Sequence, residues 1–417
     1  MLKRNVKNKN NKFAKITIGL VVPRSFKRSP ETLGGGYVRL SRIYRYLKDH
    51  ANIIEVGYAF NAFRKIIEVA EFPLSILLGI RKLRKSGAVA IILGSIAPAD
   101  VKRACVLSRI LSIPYVVFAN TIPLTGYVGY KRVRLDERPS LRQILFSTRA
   151  PGKPLLASII DALENYMMFR CLERAAIVPL TSEISSTLRK LGYTCVEPVE
   201  GIGCLEPRAS VRNRWIDAIY VASNLHPDKG VNDVIDVWQE VQKEIPSAKL
   251  LIVGREDPFF DIFTLKNYIK NNKIRNVGLI ATGHGIPNEV VLKLMSQAKL
   301  FVYPTKKDVT PQVISEALSC GTPVVTYDLH GIRLVFGNCN AVIRVDVGNK
   351  KMLASQVLRL LKDENELEQL RKEAIKWCLN NTWKKVAIKT IKAYYLAIYL
   401  AYKNNARVMR DKNKVKG

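Results

Sequence analysis

The sequence is poor in the residues that build metal and disulfide sites. Its 417 residues include four histidines and seven cysteines, and the cysteines form no CxxC pair and have no histidine neighbours at metal-ligand spacing. This scatter argues against zinc sites and disulfide scaffolds, and it predicts free thiols in a reducing compartment. The cysteines occupy positions 105, 171, 195, 204, 320, 339 and 378.

Long apolar runs are also lacking. The first 14 residues are basic and rich in asparagine, so we expect a solvated tail and not a signal peptide. Residues 110–130 carry no charge over 21 positions, but they include two prolines and two glycines. This stretch therefore predicts a buried strand, YVVFA, followed by a loop, and not a transmembrane helix.

Acidic residues are few in comparison with basic ones. The chain has 35 aspartates and glutamates against 67 lysines and arginines, which gives a net charge of +32. The excess is +19 over residues 1–205, +4 over 206–383 and +9 over 384–417. An anionic partner, whether a membrane or a nucleic acid, should therefore meet the two ends of the chain more than its middle.

Short apolar runs alternate with longer amphipathic ones, which is the pattern of a parallel sheet wrapped by helices. In the first half we predict strands at 15–22, 51–58, 88–95, 114–119, 175–181 and 195–201, with helices at 38–49, 72–87, 99–112 and 182–192. The pattern then restarts, with strands at 217–223, 249–254, 276–283, 299–305 and 322–328, and helices at 232–245, near 261–272 and at 288–298.

The two series predict an α/β protein of two tandem, doubly wound, Rossmann-like domains that face a cleft. We expect a basic disordered tail over 1–14, an N-terminal domain over 15–205, a C-terminal domain over 206–383, and a long helix with a basic tail over 384–417. In such folds ligands bind at the carboxyl ends of the strands, so the loops that follow strands should hold the functional residues.

The loop after the first predicted strand contains three consecutive glycines. Gly34, Gly35 and Gly36 stand directly before a predicted helix. Glycines there let the backbone approach a ligand closely, and the free N–H groups of the helix start attract an anion. The alternative interpretation is a flexible loop without a ligand.

Two loops of the second domain offer cations. The loop SNLHPDKGVND contains Lys229, a point charge for a phosphate, followed by Gly230. The loop after the next strand contributes Gly254 and Arg255. Solvated surface side chains are the alternative interpretation for the cations.

The third loop of that domain reads TGHGIPNE and contains His284, Gly285 and Ile286. The backbone groups around these residues could hold a flat base. A single histidine, however, is more often structural than catalytic.

The fourth loop reads KKDVTPQVISEALSCGTPVV and has two carboxylates eight positions apart, Asp308 and Glu316. Between them, Thr310, Pro311 and Gln312 mark a predicted helix start whose N–H groups face a ligand. Paired carboxylates could be the acid and base of a hydrolase, metal ligands or acceptors for hydroxyls. A salt-bridged Glu316 is the structural alternative.

In this order, the loops resemble those of the retaining GT-B glycosyltransferases of family 4. The resemblance covers most of residues 15–383 and is most specific from 217 to 333. It implies the GT-B architecture and transfer of a sugar from a nucleotide-sugar to an acceptor hydroxyl with retention at the anomeric carbon. It implies no metal ion and no other cofactor. The resemblance is carried by the glycine run and by SNLHPDKGV, LLIVGRED, LIATGHGI, LFVYPTKKD and the fourth loop.

The resemblance also assigns roles. Glu316 would accept hydrogen bonds from the ribose hydroxyls of the nucleotide-sugar, and Lys229 would bind its diphosphate. Asp308 stands where the family usually has Glu and would face the hydroxyls of the donor sugar. Gly35 and Gly36 would let the first domain close on the diphosphate.

Two positions depart from the family pattern. Asn224 stands five residues before the lysine, where the family usually has an arginine beside the phosphate. Asn120 stands where the family tends to have a histidine near the donor sugar. Asparagine can hydrogen-bond a sugar hydroxyl, but it supplies neither a cation nor a proton. Arg39 and Arg255 are the candidates to replace the missing charge.

The basic charge suggests where the acceptor binds. Residues 130–153 carry seven lysines and arginines against two acids, interleaved with apolar side chains, in the part of the first domain that faces the acceptor in the family. This composition predicts docking on anionic lipid, a saccharide or lipid-linked acceptor, and a cytoplasmic protein at the inner face of the membrane. A solvated basic face on an enzyme of soluble sugars is the alternative.

Two other classes of function stay open. One is a nucleotide-sugar-binding relative without transferase activity, such as an epimerase or an idle subunit. The other is a nucleic-acid-binding protein, which the charge alone would suit. The sequence has neither a zinc motif nor a recognition-helix motif, so we expect no nucleic-acid partner.

Overall fold

The computed structural model describes residues 15–27, 35–58, 65–120, 138–148, 155–208, 213–256, 262–271, 273–283 and 285–414. The contacts within the chain divide it into two compact units. The first unit extends to Pro198 and includes the residues from Thr390 onwards, and the second unit is Val199–Lys389.

The first unit contains a six-stranded parallel sheet with the order β2-β1-β3-β4-β5-β6. Strands β3 and β4 are buried on both faces, as their unbroken apolar sequences AIIL and YVVFA predict. The strand order reverses between β1 and β3. The strands are β1 (Ile16–Pro23), β2 (Ala51–Tyr58), β3 (Ala90–Leu93), β4 (Tyr115–Ala119), β5 (Ala176–Pro179) and β6 (Thr194–Cys195).

Helices cover this sheet. Helix α2 packs against α3, and α3 packs against α5. A short 3-10 helix, Arg24–Lys27, follows β1. The α-helices are α1 (Gly35–His50), α2 (Lys65–Ser86), α3 (Pro98–Leu111), α4 (Leu141–Thr148), α5 (Leu155–Leu172) and α6 (Ser182–Lys190).

The outer part of the last helix, α14 (Trp383–Lys414), belongs to the same unit. Its tyrosines anchor it to this sheet and its loops. The Tyr394 hydroxyl donates to the Leu93 carbonyl at 3.3 Å, and the Tyr395 hydroxyl donates to the His50 carbonyl at 2.9 Å. Tyr394 and Tyr395 therefore pack this part of the helix against the first unit.

The second unit also contains a six-stranded parallel sheet, with the order β12-β11-β10-β7-β8-β9. This order is that of a Rossmann sheet, with its reversal between β7 and β10. The prediction of two doubly wound parallel sheets is confirmed. The strands are β7 (Ile216–Ala222), β8 (Leu250–Arg255), β9 (Val277–Thr282), β10 (Ala298–Tyr303), β11 (Val324–Tyr327) and β12 (Val342–Val345).

Helix α7 of this unit buries one apolar stripe. In α7 the residues Val231, Val234, Ile235, Trp238 and Val241 are buried at the spacing of one helical face. The helices are α7 (Val231–Glu244), α8 (Ile262–Asn271), α9 (Asn288–Ser296), α10 (Gln312–Ser319), α11 (His330–Phe336), α12 (Lys350–Lys362) and α13 (Glu364–Asn380).

Two predictions from the sequence are wrong. A disulfide joins Cys204 to Cys378, so the seven thiols are not all free, and the cysteine pattern no longer supports a reducing compartment. The two residues are 174 positions apart, and only the fold brings their Cα atoms to 5.2 Å. The strand expected at 195–201 is only Thr194–Cys195, and it could not have run through to 201 because Pro198 has no N–H for a ladder.

No helix among the described residues is long and apolar enough to cross a membrane. Of the uncharged stretch 110–130, the structure describes residues 110–120, which form the end of α3 and strand β4. The predicted strand is thus present. The N-terminal tail, Gly34 and residues 121–137 lie outside the described residues.

Candidate functional site

The two loops that flank the strand reversal of the second unit contact each other. One follows β7 and ends in a 3-10 turn, Pro227–Lys229, and the other follows β10 over residues 304–311. The Lys306 N–H donates to the Asp228 carbonyl at 2.9 Å. Gly230 makes this approach possible, because its φ is +82° and a Cβ there would lie 2.0 Å from the Pro304 carbonyl oxygen.

Lys229 and Asp308 form an ion pair across these loops. The Lys229 Nζ donates to Asp308 Oδ2 at 2.8 Å and to the Lys307 carbonyl at 3.2 Å. The Tyr303 hydroxyl donates to the same Oδ2 at 2.9 Å. Burial, and then the Asp308 charge, raise the pKa of Tyr303 well above its ordinary value, so Tyr303 stays a donor. The carboxylate is therefore held by two donors.

This ion pair remains partly open to solvent. The side chain of Lys229 is 27% exposed and that of Asp308 is 18% exposed. A ligand can consequently reach both groups and exchange contacts with them. The Lys–Asp pair connects two of the residues to which the family resemblance assigns contacts with the nucleotide-sugar.

A second network, of an ion pair and a hydrogen bond, joins the loop after β10 to helix α7 and strand β11. The Lys306 Nζ pairs with Asp233 Oδ1 at 2.7 Å, and the Tyr327 hydroxyl donates to Asp233 Oδ2 at 2.8 Å. Asp233 is 2% exposed and lies in the first turn of α7. The sequence did not reveal these residues, because they lie 73 and 94 positions apart and carry no local motif.

The loops after β7 and β8 are joined through Asn224 and Arg255. The Asn224 Oδ1 accepts from the Arg255 Nε at 3.0 Å and from its Nη2 at 2.6 Å. The Leu225 N–H donates to the Arg255 carbonyl at 2.9 Å. Gly254 permits this close packing, since a Cβ there would lie 2.6 Å from the Ala222 carbonyl oxygen.

Glu316 lies within α10, which begins at Gln312 with Pro311 as its N-cap. The Glu316 Oε1 accepts from the Asn288 Nδ2 at 3.0 Å, at the start of α9. The side chain of Glu316 is half-buried, and Thr310 precedes the helix in the β10 loop. The carboxylate is therefore placed by an amide from the neighbouring helix.

The loop after β9 places Gly285 and Ile286 half-buried before α9. The Thr282 hydroxyl donates to the Gly285 carbonyl at 2.8 Å, which folds this loop back on its strand. His284 lies outside the described residues.

The candidates of the first unit lie at the carboxyl edge of its own sheet. Gly35 and Gly36 are the first two residues of α1. Asn120 follows β4 and accepts from the Ser95 hydroxyl at 3.2 Å. Arg39 is 4% exposed, with its guanidinium 5.1 Å from the centre of the Phe118 ring, and burial lowers its pKa to about 10.

Two doubly wound sheets, each with its candidate residues at the carboxyl edge, define the class of the protein as GT-B. Sucrose-phosphate synthase from Thermosynechococcus elongatus has this fold with a TM-score of 0.66 and 15% identity over 92% of this chain and 99% of that one. Anabaena HepE in complex with UDP-glucose superposes with a TM-score of 0.59 and 12% identity over 90% of this chain and 98% of that one. The predicted fold class, two Rossmann-like sheets of the GT-B type, is confirmed.

The second unit is similar to a known protein family. Residues 216–377 match the family described as glycosyl transferases group 1. A curated relative, N-acetyl-alpha-D-glucosaminyl L-malate synthase of Bacillus anthracis, is 30% identical over 142 residues. This match covers 34% of the present chain and 35% of that protein.

Proposed function

We propose that this protein is a retaining glycosyltransferase that moves a sugar from a nucleotide-sugar to an acceptor hydroxyl. The observation that carries the proposal is the Lys229–Asp308 pair, 2.8 Å long, at the strand reversal of the second unit. In open α/β sheets this is the place where nucleotides bind. The curated relative and HepE fit the proposal, because one is named a synthase of a glucosaminyl compound and the other holds UDP-glucose.

The geometry suggests a division of labour in the transfer. Departure of a nucleoside diphosphate builds negative charge on phosphate oxygens, and Lys229 supplies a cation to stabilise it. Asp308, fixed by Lys229 and Tyr303, is positioned to accept hydrogen bonds from hydroxyls of the donor sugar. Glu316, placed by Asn288, is suited to accept from a ribose. These roles need no metal, and among the described residues no cluster suited to a metal ion occurs.

The experiment is sugar transfer from a panel of nucleotide-sugars, with and without a lipid extract. We expect transfer from one donor, and a loss of at least about a hundredfold in Lys229→Ala and Asp308→Ala. The matched control is Glu289→Ala, because Glu289 is 79% exposed in the same unit and pairs with Arg208 at the surface. Activity that survives both site substitutions would refute the assignment.

A nucleotide-sugar-binding relative without transferase activity is the second candidate function. The observation that favours it is Asn120, which offers an amide to a sugar and no proton. The same panel decides between them. Binding of a nucleotide-sugar without transfer to any acceptor, or conversion of the donor itself, would establish this candidate.

We further propose that the acceptor is a saccharide or lipid-linked saccharide at an anionic membrane surface. Helix α2 supports this, because its exposed face carries Leu74, Leu77 and Leu78, which are 52%, 65% and 42% exposed. The next turns of the same face carry exposed Arg81, Lys82 and Lys85, and no acid occurs between residues 72 and 86. Leucines beside cations fit the boundary of anionic headgroups and acyl chains.

Helix α5 adds a second apolar stripe to this helical layer. Leu155, Ile159, Leu163 and Met167 recur every four residues and are 60%, 36%, 44% and 52% exposed. Of the basic segment 130–153, which the sequence singled out, only residues 138–148 are described. We place the protein peripherally at the inner face of the membrane, since the cytoplasmic leaflet is the anionic one.

Vesicle sedimentation at low salt tests this surface. We expect binding to anionic vesicles, none to neutral ones, and about tenfold weaker binding for Arg81→Glu/Lys85→Glu. The control is Lys351→Glu/Lys372→Glu, which makes the same charge change on exposed residues of the second unit. Equal recovery in the supernatant with both vesicle types would contradict the proposal, as would equal losses in the two double variants.

A further inference from the structure

We infer that Arg255 binds the diphosphate of the donor and that Asn224 is its positioning residue. The inference rests on the proposed function and names a cation that the site needs in addition to Lys229. Arg255 is the last residue of β8, and Asn224 lies in the loop after the adjacent strand β7. Both stand at the carboxyl edge of the sheet, as Lys229 does.

The charges at this edge of the sheet favour Arg255 as the phosphate ligand. Lys229 is compensated by Asp308 at 2.8 Å, so it brings little net positive charge to this edge. Arg255 forms no ion pair with a carboxylate in the part of the chain that the structure describes, and its guanidinium rests on a neutral amide. Within the described residues, Arg255 is therefore a cation without a carboxylate partner beside the β7 loop. Its charge would attract the anionic diphosphate.

The guanidinium of Arg255 is also held in a fixed orientation. One oxygen, Asn224 Oδ1, accepts from both Nε and Nη2 of the guanidinium, which fixes the plane of the group. The backbone bond from Leu225 to the Arg255 carbonyl, and the contact of Gly254 with Ala222, hold the two strand ends together. A guanidinium fixed in this way retains donors for a phosphate and loses little freedom on binding it.

The asparagine at position 224 suits this role. An arginine there would offer no acceptor oxygen to Arg255 and would repel its charge. Asn224 is half-buried and has its oxygen committed to the guanidinium, so it acts through Arg255. Asn224→Ala should therefore weaken binding less than Arg255→Ala.

Calorimetric titration of the full chain with nucleoside diphosphates and the matching monophosphates tests the inference. For the diphosphate that the wild type binds, we expect Arg255→Ala to lose about tenfold or more in affinity. The affinity of Arg255→Ala for the matching monophosphate should fall by about threefold or less, because this ligand lacks the second phosphate. Arg255→Lys, which keeps the charge without the planar fork, should lie between wild type and Arg255→Ala.

The matched control is Arg275→Ala. Arg275 is exposed and precedes β9, at the opposite edge of the same sheet, so its loss should change neither affinity. The role of Asn224 is tested by the double variant Asn224→Ala/Arg255→Ala, which should bind as weakly as Arg255→Ala alone. Losses that add would contradict the positioning role.

The failure of this inference is distinguishable from failure of the proposed function. If the wild type binds a nucleoside diphosphate and Arg255→Ala binds it equally well, the inference falls and the donor site stands. Equal losses for diphosphate and monophosphate would also overturn it, because they indicate a structural role. If the wild type binds no nucleoside diphosphate, the donor site itself is refuted.

Discussion

The two units place similar residues at the carboxyl edges of their sheets but bury them differently. In the second unit, Asp308 and its lysine partner are partly exposed. In the first unit, Asp100 is fully buried and accepts from the hydroxyls of Tyr37, at 2.5 Å, and Tyr58. The Arg103 guanidinium lies 4.0 Å from the centre of the Tyr58 ring.

In this chain, solvent exposure and not residue type distinguishes a carboxylate that can bind a ligand from one that only stabilises the fold. A carboxylate closed in by two phenols has no room for a ligand, so the Asp100 cluster joins α1, β2 and α3. A carboxylate held by a lysine at the surface can exchange that partner for a ligand. Loss of the carboxylate should therefore impair activity at the second edge and stability at the first.

The largest effect is expected for Asp308→Asn, which removes the charge and keeps the size. The rate of sugar transfer should fall about a thousandfold, because the carboxylate faces the donor sugar in the proposed site. The free energy of unfolding should change by less than about 1 kcal/mol, because the pair is partly exposed. A large loss of stability with full activity would reverse the comparison.

Asp100→Ala should show the opposite behaviour. Two buried phenols lose their acceptor, which costs about 3 kcal/mol of unfolding free energy in chemical denaturation. The control Asp49→Ala, at an exposed position of α1, should stay within about 0.5 kcal/mol. A loss as small as that of the control would show that the cluster does not hold the first unit.

Reduction of the disulfide separates the stabilities of the two units. Cys204 and Cys378 both belong to the second unit, so reduction should lower its unfolding free energy by about 2 kcal/mol or more. The first unit should unfold at the same denaturant concentration as before. The measurement is denaturation with and without reductant, compared with Cys204→Ser/Cys378→Ser, which should be insensitive to reductant. A shift of both units would contradict the prediction.

The smallest effect is expected at alkaline pH. Burial, and then the Asp100 charge, raise the pKa of Tyr37 and Tyr58 well above 10.0 in the folded protein. Below pH 10 both states keep these phenols neutral, and above it only the unfolded state ionises them freely, so stability falls as pH rises past 10. Tyr37→Phe/Tyr58→Phe should make the fall shallower in pH-dependent denaturation, whereas Tyr399→Phe, 57% exposed, should not.

Much of the fold could be predicted from the sequence. Apolar runs such as YVVFA predict the strands of the first sheet. The restart of the strand–helix pattern after residue 205 predicts the second sheet. The short strand β12 was missed, because VIRV is four residues long and half-exposed. The disulfide was missed because nothing local marks two cysteines 174 positions apart as partners.

The candidate site also has residues that the sequence could locate and contacts that it could not. The loops that hold Lys229 and Asp308, and the helix that holds Glu316, could be located because they follow predicted strands. The contacts between loops could not be predicted. Asp233 reads as an ordinary polar residue of a helix start, and only the sheet order brings Lys306 and Tyr327 to it. In the sequence, Asn224 stands where the family usually has an arginine, so it suggests a missing positive charge. Only the pairing of β7 with β8 shows that its side chain contacts Arg255.

The central claim is that the carboxyl edge of the second sheet binds a nucleotide-sugar. Equilibrium titration of wild type, Glu316→Ala and the control Glu289→Ala with a nucleotide-sugar panel tests it most directly. The account predicts that the wild type and the control bind one member of the panel equally, and that Glu316→Ala binds it about tenfold or more weakly because the ribose loses its acceptor. Equal affinity of all three proteins for that ligand, or no binding to any of the panel, would contradict the account.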